Sequence, residues 1–182
     1  VYKSMNSLNQ SWEVILVDDG SRDNSLSVLI EHAQKDSEHV RVISFRRNFG
    51  QTAAIAAGLD YAQGEIIILL DADMQNDPAD IPMMLAKLDE GFDLCSGWKK
   101  ERFDPFIKKS SSRFFNFVTR VLSGIKIHDF NCGLKAYKNK VVKSIEVYGE
   151  MHRYIPLIAK WSGFRKVTEK VVEHRARKFG KS

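Results

Sequence analysis

The chain has 182 residues, of which 43% are hydrophobic and 28% charged, values typical of one globular domain that exclude wholesale disorder. Its longest purely apolar run, residues 66–70, is too short to cross a bilayer. The formal net charge of +5 favours an anionic partner such as phosphate, nucleic acid or anionic lipid, without choosing among them.

Short apolar runs alternate with helical patterns along the chain. This alternation predicts an α/β fold with a mostly parallel sheet and covering helices. After a polar leader at residues 1–10, strands are predicted at residues 13–17, 41–45, 65–70, 93–97 and 164–172. Helices are predicted at residues 26–33, 51–62, 77–91, 110–123, 140–147 and 154–162.

Two acidic pairs follow predicted strands: Asp18 with Asp19, and Asp71 with Asp73. Ligands of an open parallel sheet bind beyond the carboxyl ends of the strands, where both pairs are expected. Neighbouring carboxylates repel each other unless a cation lies between them, and oxygen ligands favour Mg²⁺ or Mn²⁺. Such an ion takes further ligands from substrate phosphates, so the sequence predicts a site for a nucleoside diphosphate or triphosphate.

Six segments carry a resemblance to a known family. They are residues 17–23, 47–50, 70–78, 128–135, 152–156 and 177–182. In their order and spacing they resemble family 2 glycosyltransferases of GT-A fold, more narrowly the branch with dolichyl-phosphate mannose synthase and bacterial polyprenyl-phosphate glycosyltransferases. The resemblance implies a Rossmann-like nucleotide-diphospho-sugar transferase fold, with a mixed, mostly parallel sheet between two layers of helices. Residues 1–182 would form a single catalytic domain.

The resemblance also implies roles for matching residues. The nucleotide would contact Asp18, Asp19, Ser21, Asn48 and Asp71, with Asp19 on the base. The metal ion, Mg²⁺ or Mn²⁺, would lie among Asp71, Asp73 and Gln75. Donor or acceptor phosphate would be bound by Lys135, Arg153, Arg177, Lys178 and Ser182. Lys135 stands where relatives often carry Arg, so the charge is kept while bidentate recognition is lost.

The residues expected at the chemical step are Asp129, Arg153 and Arg177. Asp129 keeps three open roles: a catalytic base, a positioning group or a structural one. A sugar hydroxyl acceptor would need a base to remove its proton. A lipid phosphate, with a second pKa of about 6, is already largely ionised near pH 7 and needs cations to hold it.

The implied reaction is an inverting, metal-dependent transfer of a sugar from a UDP- or GDP-sugar to a polyprenyl phosphate, undecaprenyl or dolichyl. It would take place on the cytoplasmic face of a membrane, and a homo-oligomer is left open. The alternatives are a saccharide hydroxyl acceptor in cell-surface polysaccharide synthesis, or an inactive fragment that binds nucleotide sugars. Relatives begin with a further strand and often continue into membrane segments, so the chain is expected to be truncated at both ends.

Three other classes of protein are disfavoured. A nucleic-acid binder would leave the Asp-x-Asp after a buried strand unexplained, because acidic clusters repel phosphate without a metal. The spacing from Asp18 to Asp71 and the basic C-terminal third disfavour a phosphoacceptor receiver domain. No Gly-x-Gly-x-x-Gly follows a strand, which disfavours a dinucleotide-binding enzyme.

Two further features leave alternatives open. The basic residues 99–113, with interleaved aromatics, are expected to face an anionic membrane or to form a solvated loop. The Phe-rich helix at 110–123 is expected in the core or on a lipid-facing surface.

Cys95 and Cys132 fit no zinc or Cys-x-x-Cys spacing, so both are expected to be buried thiols, as in a reducing compartment.

Overall fold

The computed structural model describes residues 1–8, 10–100, 116, 118–121 and 123–175. The predicted helix at 110–123 therefore lies mostly outside the described residues, as does the basic segment after residue 100. Residues 118–121 are helical. None of the helices in the described part of the chain has the length and apolar character needed to cross a bilayer.

Six strands form two sheets in the described ranges. They are β1 (Val14–Asp18), β2 (Val40–Ser44), β3 (Ile66–Leu69), β4 (Leu94–Trp98), β5 (Lys135–Lys138) and β6 (Val167–Val171). Strands β1 and β2 pair in parallel, with Asp18 opposite Ser44. The larger sheet has the order β3-β5-β4-β6. Strand β5 is antiparallel to β3 and β4, whereas β4 and β6 are parallel.

The described helices are α1 (Tyr2–Asn6), α2 (Ser25–Lys35), α3 (Gln51–Tyr61), α4 (Ile81–Asp89), α5 (Asn139–Val142) and α6 (Ile155–Trp161), with 3₁₀ helices at Pro78–Asp80 and Met151–Tyr154. Helix α2 packs on the smaller sheet, whereas α3, α5 and α6 cover one face of the larger sheet and α4 covers the other. Side chains alternate along a strand, so Ile67 of β3 joins the core formed with α3, α5 and α6. Its neighbours Ile66 and Ile68 pack on the opposite face, against the core that contains Met84 and Leu88 of α4.

The helix start predicted at Asp77 is confirmed. The carboxylate of Asp77 accepts a hydrogen bond from the Ala79 N–H at 2.9 Å, and Pro78 occupies the first turn. Pro at this position loses no hydrogen bond, because the first N–H groups of a helix have no partner within it. This cap turns the chain away from the acidic loop that follows β3.

The α/β fold, the mixed sheet and the five predicted strands are confirmed, but strand β5 and helix α1 were missed. Because β5 runs against both of its neighbours, the described pairs are two parallel and two antiparallel, rather than mostly parallel. The helix predicted at 140–147 ends at Val142. Cys95 and Cys132 are free and buried, as predicted.

Candidate functional site

The carboxyl end of β1 forms a tight turn against the loop after β2. The buried carboxylate of Asp18 accepts hydrogen bonds from the Ser21 N–H, at 3.3 and 3.4 Å, and from the Ser44 hydroxyl at 3.4 Å. Gly20 has a φ of +70°, and a Cβ atom there would lie 2.4 Å from the carbonyl carbon of Arg47. Only glycine allows this approach, so the turn and the loop are held together.

Asp19, predicted to bind a nucleobase, holds the start of α3. Its carboxylate accepts hydrogen bonds from the N–H groups of Phe49 at 2.7 Å and Gly50 at 2.9 Å. Asn48 and the ring of Phe49 are exposed in the same loop. A carboxylate offers about four lone-pair sites, so these two bonds leave acceptor capacity for a ligand.

Asp71 connects β3 with two distant segments. Its Oδ1 atom accepts a hydrogen bond from Nε2 of Gln51, in the first turn of α3, at 3.2 Å. Its Oδ2 atom lies against Gly133, where an added Cβ atom would come within 1.9 Å. The loop at residues 128–135, far away in sequence, therefore packs directly on the first carboxylate of the Asp-x-Asp.

The loop after Asp71 keeps Asp73 and Gln75 close together. The Gln75 N–H donates to Oδ1 of Asp73 at 3.1 Å. Between them, Met74 has a left-handed φ of +62° and an exposed side chain. Such a backbone is uncommon for a residue other than glycine and is found at turns and functional sites. Asp71, Asp73 and Gln75, the three predicted metal ligands, thus belong to one sharply turned loop.

Residues 173–175, which we call the strap, cross the Asp-x-Asp loop. His174 forms an isolated antiparallel bridge with Asn76. The Arg175 N–H donates to the Gln75 carbonyl at 2.8 Å, and Nε2 of Gln75 donates to the Arg175 carbonyl at 3.3 Å. The Arg175 guanidinium also pairs with Asp77. Arg177, Lys178 and Ser182, predicted to bind phosphate, lie outside the described residues.

Asp129 is buried, with 2% of its surface exposed. Its Oδ1 atom accepts from the Asn131 N–H at 3.0 Å, and Nζ of Lys99 lies 3.9 Å from its Oδ2 atom. Lys99 also donates to the Asn131 carbonyl at 3.3 Å, and the Ser96 hydroxyl donates to the Asp129 carbonyl at 3.2 Å. These bonds order the loop that carries Gly133 to Asp71.

Lys135 lies inside the protein, with 3% of its surface exposed, and its Nζ atom donates to the Cys132 carbonyl. Burial lowers the pKa of this ammonium group, although the carboxylates of Asp129 and Asp71 favour its charged form. Phosphate binding by Lys135 stays a prediction. In this arrangement the ammonium group of Lys135 lies in the protein interior and not on the surface.

Arg153 is exposed on the 3₁₀ helix before α6. The preceding residue, His152, is half-buried, and its Nδ1 atom lies 2.7 Å from the hydroxyl of Thr52 in α3. Burial, and next the positive charge of Arg153, lower the pKa of His152, so the neutral ring is favoured. The sequence predicted Arg153 as a phosphate-binding residue, but it gave no indication that Thr52 of α3 contacts the adjacent His152.

Gln51, Thr52, Gly133 and Arg175 were not predicted as site residues. Gly133 belonged to a recognised segment, and its position there was the only indication available. The other contacts join residues 20 to 100 positions apart, through polar side chains that carry no periodic pattern and, for Arg175, through its backbone carbonyl. The structure therefore adds a helix start and the strap to the predicted acidic site.

The acidic loop with Asp71 and Asp73 can bind an anion only with help from a cation. Within the described ranges, no group of three or more His, Cys, Asp or Glu side chains could hold a metal ion alone. Asp71 and Asp73 nonetheless present carboxylate oxygens on one loop, the ligand chemistry that hard divalent cations prefer. An ion held by this pair would need oxygen atoms from water or from a bound phosphate to complete its shell.

A family model described as "Glycosyl transferase family 2" matches residues 1–146. The dodecaprenyl-phosphate galacturonate synthase of Rhizobium johnstonii is 40% identical over 185 residues, covering 100% of this chain and 55% of that protein. The undecaprenyl-phosphate 4-deoxy-4-formamido-L-arabinose transferase of Salmonella choleraesuis is 38% identical over 176 residues, covering 97% and 54%. The chain thus spans about half the length of the curated relatives it matches.

Solved structures share the fold at low sequence identity. A crystal structure of a mycobacterial protein matches with a TM-score of 0.68 and 19% identity, covering 96% of this chain and 61% of that one. Glucosyl-3-phosphoglycerate synthase from Mycobacterium tuberculosis, in complex with Mn²⁺, UDP-glucose and glycerol 3-phosphate, matches with a TM-score of 0.65 and 20% identity, covering 90% and 61%.

Proposed function

We propose that this chain, which belongs to glycosyl transferase family 2, transfers a sugar from a nucleotide diphosphate to a polyprenyl phosphate with inversion at the anomeric carbon. The family and the GT-A fold predicted from the sequence are confirmed by the family model, the curated relatives and the solved structures. The substrates and the residue roles given below are proposals.

The observation that carries the proposal is the convergence of three segments on one acidic loop. The first turn of α3 contacts Asp71 through Gln51, and the 128–135 loop contacts it through Gly133. The strap crosses the same loop at Gln75. A sugar transferase must hold its donor and its acceptor together, and this loop is where three segments that are distant in the sequence meet.

For the donor we propose a UDP- or GDP-sugar, tested first with UDP because the M. tuberculosis neighbour is bound to UDP-glucose and Mn²⁺. Asp71 and Asp73, with Gln75, would hold Mg²⁺ or Mn²⁺, and Asp19 would accept a hydrogen bond from the base. The cation would neutralise negative charge on the departing diphosphate. The hydrogen bonds that the Asp19 carboxylate accepts from the N–H groups of Phe49 and Gly50 would keep the base subsite ordered.

For the acceptor we propose a polyprenyl phosphate, since both relatives described above are named for transfer to such lipids. Its phosphate would be held by exposed Arg153, together with Arg177 and Lys178. A phosphate that is already ionised needs no base. We therefore assign Asp129 a positioning role, consistent with its burial and its contacts to Lys99 and the Asn131 N–H.

For the location we propose the cytoplasmic face of the membrane. The names of both relatives include a polyprenyl phosphate, a long-chain lipid of the kind that lies in membranes. Free thiols at Cys95 and Cys132 suit a reducing compartment.

Thermal unfolding of the full-length protein with UDP- and GDP-sugars, in Mn²⁺ or Mg²⁺ and then in EDTA, tests the donor. A ligand at about a hundred times its Kd stabilises by roughly 2.7 kcal/mol, on the order of 5–10 °C for a domain of this size. A shift with one nucleotide class that EDTA removes supports both donor and metal. No shift with any nucleotide contradicts the proposal. Transfer to a polyprenyl phosphate, compared with a saccharide hydroxyl, then tests the acceptor.

Asp73→Asn should abolish the metal-dependent shift while leaving the unfolding temperature without ligand nearly unchanged. The amide removes the negative charge that a divalent cation needs but keeps the side-chain shape. Asp89→Asn is the matched control, because Asp89 is an exposed carboxylate at the end of α4. A normal shift in Asp73→Asn would remove Asp73 from the metal site.

A further inference from the structure

Four consecutive residues, 49–52, contact three separate parts of the candidate site. The N–H groups of Phe49 and Gly50 bind Asp19, and the side chain of Gln51 binds Asp71. The next side chain, Thr52, is 4% exposed and turns inward. It meets a residue 100 positions further along the chain, His152.

The contact between Thr52 and His152 lies directly behind an exposed cation. His152 and Arg153 are neighbours in the 3₁₀ helix Met151–Tyr154, which packs against α3. His152 is half-buried with its Nδ1 atom 2.7 Å from the Thr52 hydroxyl, whereas Arg153 faces solvent. The contact holds the imidazole ring on one side of this short helix. It therefore also sets the direction in which the neighbouring Arg153 side chain extends from the helix.

We propose that Thr52 and His152 are positioning residues that set Arg153 relative to Asp71. Gln51 and Thr52 are adjacent in one helical turn, so the same rigid element holds the donor-side carboxylate and the acceptor-side cation. The proposal rests on the acceptor-phosphate role given to Arg153 above. It adds that the two halves of the site are joined through the first turn of α3, and not only by the substrates.

The neutral state of His152 suits this role. A neutral ring can accept the Thr52 hydroxyl hydrogen at Nδ1, or donate its own hydrogen to that oxygen. Burial and the charges of Arg153 and Lys135 favour this state, against the carboxylates of Glu150 and Asp71. The hydrogen bond is therefore available at neutral pH without placing a second positive charge beside Arg153.

Thr52→Val in the full-length protein tests the proposal, because it replaces the hydroxyl by a methyl group of similar size. A hydrogen bond of ordinary net strength corresponds to about a two- to tenfold effect. We expect the KM for polyprenyl phosphate to rise by that factor, with the thermal shift produced by the nucleotide sugar unchanged. Thr52→Ser, which keeps the hydroxyl, should restore the KM to near its original value.

The double variant Thr52→Val with Arg153→Ala separates positioning from simple packing. If Thr52 acts through Arg153, its replacement should change the acceptor KM little once the guanidinium is gone. If the KM increase of the double variant equals the product of the two single increases, Thr52 does not act through Arg153, and only the positioning role is overturned. An unchanged acceptor KM in Arg153→Ala would instead overturn the phosphate-binding role of Arg153, and this proposal with it. A lower unfolding temperature in Thr52→Val with no change in KM would make the pair structural.

Discussion

At the scale of single residues, the contact between Gly133 and Asp71 leaves least room for change. An added Cβ atom at Gly133 would lie 1.9 Å from Oδ2 and 2.5 Å from Cγ of Asp71. Real Cβ atoms do not approach so closely, so either the loop or the carboxylate would have to move. Because the other oxygen of Asp71 is bound to Gln51, movement of the carboxylate would also break that hydrogen bond.

Gly133→Ala should therefore weaken metal-dependent donor binding by at least about tenfold, equal to 1.4 kcal/mol in binding free energy. The measurement is the Kd of a nucleotide sugar by titration calorimetry, with and without Mn²⁺. Gly58→Ala is the control, because its Cβ atom would meet only Cγ2 of Val17, at an ordinary 3.5 Å, in the interior of α3. Wild-type affinity in Gly133→Ala would show that Asp71 does not need its present position.

The acidic residues of the candidate site stand out in the sequence, whereas the partners that hold them in place do not. Asp18 ends the apolar strand β1 and Asp71 comes soon after the apolar strand β3, and ligands of α/β proteins bind beyond the carboxyl ends of such strands, although these two strands belong to separate sheets. Gln51 and Thr52 are polar residues at a helix start, where many sequences carry such residues without any site nearby. Their partners Asp71 and His152 are brought close only by the packing of α3, which local patterns do not encode.

At the scale of elements, the strap ties the end of the described chain to the Asp-x-Asp loop. Arg175 forms ion pairs with Asp77 and Glu173. Its backbone N–H and carbonyl groups also form hydrogen bonds with Gln75. The Arg175 side chain is 49% exposed, so its ion pairs are screened by water. The strap should consequently affect the loop's position more than the protein's stability.

Arg175→Ala is expected to leave the urea midpoint of unfolding nearly unchanged, because exposed ion pairs are screened by water and contribute little to stability. We expect it to weaken nucleotide-sugar binding by about two- to tenfold, because the loop loses one charged contact. Urea unfolding and calorimetry measure the two effects. Lys35→Ala, which removes an exposed ion pair with Glu31 on α2, is the matched control. Equal effects of both variants on binding would contradict a role for the strap.

Strand β5 was missed because its sequence lacks the usual strand pattern. It has four residues, with lysine at both ends and a single large apolar side chain, Tyr137. Its extended form is imposed by β3 and β4, which pair with it on both sides. Burial of Lys135 in this strand is equally unexpected from sequence, since lysine is almost never fully buried without a partner. Tertiary pairing, rather than local propensity, determines this element.

At the scale of the whole molecule, two apolar layers cover the faces of the larger sheet, and a smaller third cluster contains Ile125, Ile127 and Phe130. One layer joins α3, α5 and α6 to one face of the larger sheet, and the other joins α4 to the opposite face. Helix α3 also packs on β1, so it connects the smaller sheet to the larger one. The alternation of strands and helices predicted these layers, but the order β3-β5-β4-β6 required the structure.

Both thiols lie in the layer covered by α4, which makes them reporters of global unfolding. Burial raises the pKa of Cys95 from 9.0 to about 12, which lowers the reactive thiolate fraction roughly a thousandfold. Burial also raises the pKa of Cys132. We expect neither thiol to react with an aromatic disulfide reagent in native buffer, and both to react together as urea unfolds the protein.

Single-thiol variants, Cys95→Ala and Cys132→Ala, identify which sulfur reacts. If the α4 layer opens as one unit, the remaining thiol should react at the same urea-dependent rate in both variants, after correction for their stabilities. Fast labelling of Cys132 alone would mean that the 128–135 loop opens locally, since Cys132 lies in that loop next to Gly133. Asp71 would then lose its packing surface without global unfolding, and the cooperative description of this layer would be wrong.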